Sequence, residues 1–336
     1  IDSVWRMFST NGDYYEEIVK LTTDFQYKSK VNSAKDEHWI DFPAIYGGIY
    51  REFREQIEEV MNPVLEFFYS EDNFKSRSLS DGKDPSKFEI ELRDGVVAAY
   101  GYGGVHGSCK ESLYVSGEFD EYKVLHADFS AMYPNMMIEY DLYPPDFPSH
   151  LKAIFKKFAL ARDEYKKDGD IDTSNAYKPI LNSVPGKFRY QYSRMFHPAT
   201  NFAICAMGQC LVSFLALIVE GVLIQIDTDG IMILCRNKSE YENSVAAIDK
   251  FSKLINMKIS TDDFDWFAQE SIHSYAYSLN GKVDGIGGNL GGKSPWDPNL
   301  MGVSSVIHNS LLTGDSITKS LKLEIAANNV RNLIIT

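Results

Sequence analysis

The 336-residue sequence is short of cysteine, has no excess of positive charge, and contains no uninterrupted apolar run long enough to cross a membrane. Cys109, Cys205, Cys210 and Cys235 are too few for a disulfide scaffold and lack the paired spacing of zinc ligands, which fits a reducing compartment. The most membrane-like stretch, Phe202 to Val219, is interrupted by Gln209 and Ser213 and passes directly into a strand pattern. A span needs about 20 apolar residues with suitable flanks, so a buried helix is the expectation here. The formal net charge of −13 argues against a general nucleic-acid binder, since phosphate contacts need Lys and Arg. There is no internal repeat and no low-complexity tract. No signal-peptide pattern opens the sequence, and because Ile1 is not an initiator Met, residues are expected before it.

What is present is a chain able to fold: 44% apolar residues at this length suffice for one large core or two smaller ones. The acidic average hides a local reversal. Leu151 to Thr200 holds ten Lys or Arg (Lys152, Lys156, Lys157, Arg162, Lys166, Lys167, Lys178, Lys187, Arg189, Arg194) against five acids, a net of +5, so the remainder carries −18.

Residues 13–69 show helical spacing, with Phe53, Ile57, Val60 and Val64 recurring on one face. The polar stretch from Ser70 to Lys87 reads as a linker. After it, "FEIEL" and "VVAAY" flank Arg93-Asp94-Gly95 as a hairpin, followed by the Gly-rich "GYGGVHG". "YKVLHADF" alternates as a strand ending at Asp128. Ser149 to Lys167 turns helical, and a second helical stretch is expected from near Ala176. The long apolar helix ends at Gly221, where "VLIQIDTDGIMIL" supplies two strands around a tight acidic turn. Ser239 and Glu242 form a candidate capping box for a helix to about Ile255, and Asn280-Gly281 marks a further hairpin. This order predicts an α+β domain with helices on one face of an antiparallel sheet.

Two segments suggest chemistry. "ADFSAMYPNMM" puts Asp128 at a strand end, with Tyr133-Pro134 just beyond. "QIDTDGIMI" puts Asp227 and Asp229 on one side of an extended chain, because strand side chains alternate. An Asp-x-Asp turn alone is explained by Asx-turn hydrogen bonding. Between two strands, however, clustered carboxylates repel and raise each other's pKa. A divalent cation relieves that repulsion, and Mg²⁺ needs only one or two carboxylates when water and phosphates complete its shell. His126 shares a strand face with Asp128, but hard Mg²⁺ favours oxygen. On the basic side, Arg162 and Lys166 share a helix face, as do Lys178 and Asn182; a solvated charged face explains either pair taken alone.

Taken together, these segments resemble the motifs of family B DNA polymerases. "DFSAMYP" is similar to their motif A (Asp-x-x-Ser-Leu-Tyr-Pro), "YKPILNSVPGKF" to motif B (Lys-x-x-x-Asn-Ser-x-Tyr-Gly) and "DTDG" to motif C (Asp-Thr-Asp-Ser). The resemblance covers about Tyr100 to Lys282. It implies that Asp128 and Asp229 bridge two Mg²⁺ ions, with Mn²⁺ as an alternative, and that Asp227 is an auxiliary carboxylate. It further implies that Tyr133 is the gate that favours dNTPs over rNTPs. Arg162, Lys166 and Lys178 would neutralise the incoming triphosphate, Asn182 would pack near the nascent base pair, and Gly186 would let backbone approach closely. A loose similarity to a Tyr-Gly-Gly template-contact loop nominates Tyr102, Gly103 and Gly104, with a plain tight turn as the alternative. His106 is either a DNA contact or structural. A family Lys-x-Tyr primer element nominates Tyr275 and Lys282, although no Lys precedes the tyrosine.

The chain departs from the family pattern at Pro185, Gly230 and Ala131. Pro185 is expected to kink or end its helix near Val184, and all three changes bear on fidelity and primer positioning more than on metal ligation. With 50 positions from Asp128 to Lys178 and 49 from Lys178 to Asp227, the fingers are expected to be one short helical pair. The expected organisation is an N-terminal helical region and linker (1–87), a first palm part (88–145), short fingers (146–199), a second palm part (200–282) and a region leading to a partial thumb (283–336). No Asp-x-Glu exonuclease motif lies in residues 1–95, so proofreading would fall to missing sequence or a separate subunit. Primer-template DNA and dNTPs are the implied partners. No membrane is implied, and the expected location is the cytoplasm, that of the host if the chain is phage-encoded. The alternatives are a weak or inactive polymerase-derived scaffold that binds nucleic acid, and another palm-like enzyme such as a nucleotide cyclase or reverse transcriptase, against which motif B with Arg162 argues.

Overall fold

The computed structural model describes residues 42–69, 88–101, 103–109, 114–115 and 123–286, together with 306–307, 309–310, 313 and 315–326. Tyr102, the linker of residues 70–87, the helical reading of residues 13–41 and most of the region assigned to a thumb lie outside the described residues.

Helix α1 (Phe42–Tyr69) comes first, with a break in helical geometry at Phe53, where no sequence signal marks one, and Pro63 inside it. Strands β1 (Phe88–Arg93) and β2 (Val96–Tyr100) form the expected hairpin. Asp94 (φ 54°) and Gly95 (φ 76°) make its turn; two positive φ values in a two-residue loop match the right-handed twist of the strands. Then come β3 (His106–Ser108), β4 (Tyr114–Val115), β5 (Lys123–Phe129) and helix α2 (Met132–Glu139). A helical pair follows, α3 (Ser149–Lys167) and α4 (Ile171–Arg189), and then the long helix α5 (Pro198–Ile218). Strands β6 (Val222–Asp227) and β7 (Gly230–Cys235), helix α6 (Lys238–Leu254) and strands β8 (Ile259–Phe264), β9 (Trp266–Ser271), β10 (Ser274–Leu279) and β11 (Lys282–Ile286) complete the ordered run, with α7 (Ile317–Ala326) toward the end.

The protein is α+β. Its main sheet has seven strands in the order β1-β2-β3-β6-β7-β5-β8, every pair antiparallel. A second antiparallel sheet, β11-β10-β9-β4, turns at Asn280 (φ 53°) and Gly281 (φ 72°), as the sequence signal predicts.

Helix α5 is the centre of the core. It packs against α1, α2, α4 and α6 and against β1, β6 and β7, and it is apolar all round because it has neighbours all round. It is the one helix among the described residues with the length and composition to cross a membrane, and its apolar stretch is wholly buried in the protein. The two polar interruptions explain themselves here. Gln209 exchanges amide hydrogen bonds with Gly101, accepting from its N–H and donating to its carbonyl, both at 3.0 Å. Ser213 Oγ lies 2.7 Å from Tyr100 Oη. Both tie the end of β2 and the start of the Gly-rich loop to the core. At the helix C-terminus and just beyond it, Arg93 donates to the carbonyls of Ala216, Val219 and Gly221.

Three local expectations need correction. Helix α4 begins at Ile171, five residues before Ala176, because Asp170 caps it by accepting from Thr173 N–H at 3.0 Å. It also continues through Pro179 and Pro185 to Arg189 rather than ending at Val184. Leu181, Val184, Pro185 and Phe188 are all buried along one side, and Asn201 of α5 donates to the Pro185 carbonyl at 2.9 Å, so packing overrides the lost backbone hydrogen bond. Helix α6 is capped by Asn237, which accepts from Glu240 N–H at 2.9 Å, two residues before the expected Ser239. All four cysteines are thiols, with Cys205, Cys210 and Cys235 buried.

Candidate functional site

The site grows out of strand register. β6 and β7 pair Asp227 with Gly230, which leaves Thr228 and Asp229 as the turn. β5 lies against β7 with Asp128 opposite Gly230, and Phe129 N–H donates to the Asp229 carbonyl at 2.7 Å. Asp128 is thereby set beside the acidic turn, although the two are about a hundred residues apart in sequence. Gly230 sits beneath this junction. A Cβ there would lie 3.0 Å from the Ala127 carbonyl, 3.2 Å from His126 Nε2 and 3.3 Å from Asp128 Oδ1. Glycine at position 230 thus leaves room for the Asp128 carboxylate.

The electrostatics separate the three acids. Burial, then the charge of Asp229, push the Asp128 pKa up to about 7, while Lys178 and Lys166 pull the other way. Burial and the charge of Asp227 raise Asp229, again opposed by Lys178. Burial also works to raise Asp227, but the hydrogen bond from His106 Nδ1 (2.8 Å) and that from Thr228 N–H (2.7 Å) outweigh it and lower its pKa. Asp227 is therefore satisfied within the chain, whereas Asp128 and Asp229 carry mutual repulsion that a cation would relieve. Among the described residues no group of three or more His, Cys, Asp or Glu is arranged to hold a metal by itself. Two strained carboxylates fit Mg²⁺, whose remaining ligands are customarily water and phosphate oxygens.

The turn from β5 into α2 is strained. Ala131 adopts a left-handed conformation (φ 46°, ψ 53°), which costs a non-glycine residue about 1 kcal/mol or more. Hydrogen bonds from Asn135 Nδ2 to the Ser130 carbonyl and from Ser130 N–H to the Lys258 carbonyl hold it. The sharp reversal brings Tyr133 back toward the acids: burial, then Cys205, Asp229 and Asp227, raise the pKa of its hydroxyl. Its ring rests on Gly208 of α5, where a Cβ would come 3.0 Å from Tyr133 Cε1.

The Gly-rich loop closes one flank. A Cβ on Gly104 would lie 2.3 Å from Thr228 Oγ1, so only glycine fits against the acidic turn, and Gly103 has φ 112°. His106, on β3, holds Asp227. The β9–β10 turn sets His273 against His106, ring centroids 5.5 Å apart, and β10 brings Tyr275 into the field of the acids: burial, then the charge of Asp227, Tyr277, Asp229 and Asp128, push its pKa up to about 12. Phe264 stacks on Tyr277 with centroids 4.4 Å apart and on His126 at 5.4 Å. His126 is thus held against an aromatic ring, with its pKa lowered by burial.

The basic side comes from the helical pair. Lys166 and Lys178 both act on Asp128, and Lys178 on Asp229 as well. Arg162, one turn before Lys166, is half-buried, and its Nε is sealed from solvent with no hydrogen-bond acceptor among the described residues. Asn182 and Gly186 continue the exposed face of α4 beyond Lys178. Lys282 is not part of this cluster. It is exposed, and it pairs with Leu279, about 13 Å along β10 from Tyr275.

Sequence reasoning missed the His106–Asp227 pair, the contact of Gly208 with Tyr133, and Asp262, which faces His126 across strands and adds to the negative field at Asp128. Each depends on strand register or on helix docking; the "GGVHG" string next to an acidic hairpin was the one available hint. Compared with protein-family models and with curated proteins, the chain gives no match.

Proposed function

We propose that this chain is the polymerising core of a family-B-like DNA polymerase, transferring dNMP from a dNTP to a primer 3′-OH under direction of a template. The observation that carries this reading is the meeting of Asp128 and Asp229, both with raised pKa, within the field of Lys178 from the helical pair. In this reading the seven-stranded sheet is the palm and α3–α4 are short fingers.

Asp128 and Asp229 would hold two Mg²⁺ ions, or Mn²⁺ in their place, and such ions supply Lewis-acid activation of a hydroxyl and charge stabilisation at phosphate oxygens. Lys166, Lys178 and Arg162 face the triphosphate and offset its charge; the orphan Nε of Arg162 is suited to an oxygen acceptor. Tyr133, backed by Gly208, fills the space a ribose 2′-OH would need. Asp227, already bonded to His106, keeps the turn in shape rather than ligating. Tyr275 and the Gly103–Gly104 loop flank the acids, where primer and template would pass. Catalysis would then rest on positioning and preorganised charge. A cytoplasmic location, that of the host for a phage-encoded protein, and a separate exonuclease or accessory replication subunit belong to the same reading.

Primer extension tests it, on defined DNA and RNA templates with dNTPs and rNTPs offered separately. The wild-type chain should extend a DNA primer with dNTPs and Mg²⁺, and Asp229→Ala should not while keeping its circular dichroism spectrum. Extension by Asp229→Ala at the wild-type rate would remove the metal assignment.

A further inference from the structure

Beyond the acids and their facing cations, the described residues expose an aromatic and basic feature that the proposed chemistry does not use. Helix α4 ends at Arg189, and the turn after it displays Tyr190 and Tyr192, 52% and 77% exposed. Their ring centroids are 5.5 Å apart at 70°, and Lys187 Nζ lies 5.5 Å from the Tyr190 centroid. These rings are not on a loose tether. Ser193 N–H donates to the Tyr190 carbonyl at 2.8 Å, Met195 N–H to Ser193 Oγ at 3.0 Å, and His197 N–H closes the loop onto the Phe188 carbonyl at 2.7 Å. Phe188 and Met195 are buried on either side. The chain thus spends ordering on holding two large rings out in water.

The run of sequence through this turn carries one sign of charge, although Asp146, which precedes α3, acts on His197 where the turn closes. No Asp or Glu occurs between Asp172 and Glu220, while Lys178, Lys187, Arg189 and Arg194 all do, in a protein whose net charge is −13. All four cations are exposed. Lys178, Asn182, Gly186 and Arg189 recur at helical spacing and form one open stripe from the acidic site to the tyrosine turn, about 18 Å at the helical rise. Gly186 lies in that stripe. Among the described residues a Cβ there would meet nothing within 4 Å, and its φ is not positive, so nothing in the described structure requires glycine at a mid-helix position where it costs about 1 kcal/mol.

We propose that this stripe and the Tyr190–Tyr192 turn form a single-stranded DNA track, with the two rings as stacking platforms for unpaired bases and Lys187, Arg189 and Arg194 contacting the backbone. Rings that stack on bases and cations that follow phosphates are what sequence-tolerant single-strand binding needs. A protein partner would have to be acidic and aromatic-seeking to match the same surface; the acid-free run favours a polyanion. That the strand is the template, reaching the acids past Gly186 and Lys178, rests on the polymerase reading, whereas the binding itself does not.

The test uses the full chain and a fluorescein-labelled oligothymidylate, read by anisotropy without dNTPs, with a blunt duplex for comparison. Wild type should prefer the single strand. Tyr190→Ala/Tyr192→Ala should lose roughly ten-fold or more in affinity per stacked base, and Tyr190→Phe/Tyr192→Phe should bind as wild type because the rings remain. In primer extension, a long single-stranded template overhang should help wild type over a single unpaired template base, and help the alanine variant less. Unchanged oligothymidylate binding by the alanine variant, or equal wild-type affinity for duplex and single strand, would overturn the track, including in favour of a protein-docking surface. Tyrosine-dependent binding by a chain that extends no primer would retain the track and remove the polymerase reading. Normal extension with tyrosine-independent binding would do the reverse.

Discussion

Asp128, on a strand, and Asp229, in the adjoining hairpin turn, are held by a register that leaves them little freedom, partly removed from water and repelling each other, whereas Lys166 and Lys178 stand exposed on a helical pair. The contrast lies in how each half is built. The acids are held by backbone pairing in the middle of a seven-stranded sheet, at the cost of desolvation and repulsion within the metal-free chain. The cations are cheap to place, since exposed ammonium groups lose little hydration, but they are correspondingly loosely fixed. A ligand that brings both cations and phosphates would satisfy both halves at once. Substitution should therefore be severe at the acids and graded along the helices.

The largest effect is expected where the framework is stiffest. Asp128→Ala or Asp229→Ala should reduce extension by about a thousand-fold or more, with the fold intact, because the neighbouring Asp227 is already held by His106 and Thr228; single-turnover rates measure this. On the helical side, Lys178→Gln should cost roughly ten- to a hundred-fold, mainly as a higher KM for dNTP, and Lys166→Gln less, since only Lys178 acts on both acids. Equal losses at all four positions would erase the contrast. Tyr133→Ala should mainly admit rNTPs. Gly208→Ala, which crowds the same ring, should shift dNTP/rNTP discrimination by a smaller factor of roughly ten or less, read as a ratio of kcat/KM values.

The smallest effect is on stability. Asp128 titrates near 7 in the folded chain and near 3.8 unfolded, so between those values the folded state holds more protons. The contribution of Asp128 to the stability of the metal-free protein should accordingly be lost as pH rises from about 4 to about 7 and level off above, while His126 and His197, lowered by burial, contribute in the opposite sense. Asp128→Asn should flatten that slope, with Asp229, also raised, keeping part of it, and should raise Tm in mildly alkaline buffer by a few degrees, on the scale of about 2–4 °C per kcal/mol. Calorimetric scans across pH measure both. A wild-type Tm that climbs steadily from pH 4 to pH 7, with the same slope in the variant, would contradict the desolvation of the acid.

How far the sequence discloses this architecture depends on whether a feature is local. The hairpins at Asp94-Gly95, Thr228-Asp229 and Asn280-Gly281 were legible because two-residue turns impose composition, and β5 because alternation marks a half-buried strand. The acid-bearing segments were legible for the same reason. Helix α4 was misjudged because Pro185 carries a strong local rule that packing on α5 overrides, and α6 because Asn237 competed with Ser239 for the cap. Gln209 and Ser213 argued against a span, but their tie to Tyr100 and Gly101 needed the helix docked beneath β2. The His106–Asp227 pair lay out of reach because it joins residues 121 positions apart through the pairing of β3 with β6.

The most direct test of the central claim is titration of Mg²⁺, and of Mn²⁺ as a probe, into the wild-type chain, Asp128→Asn and Asp229→Asn by calorimetry in buffers of different ionisation enthalpy. The account predicts that wild type binds with proton release that is largest below pH 7, because Asp128 must deprotonate, and that either variant loses both the binding and the release. Binding of wild-type strength in both variants, with no proton release at any pH, would contradict it.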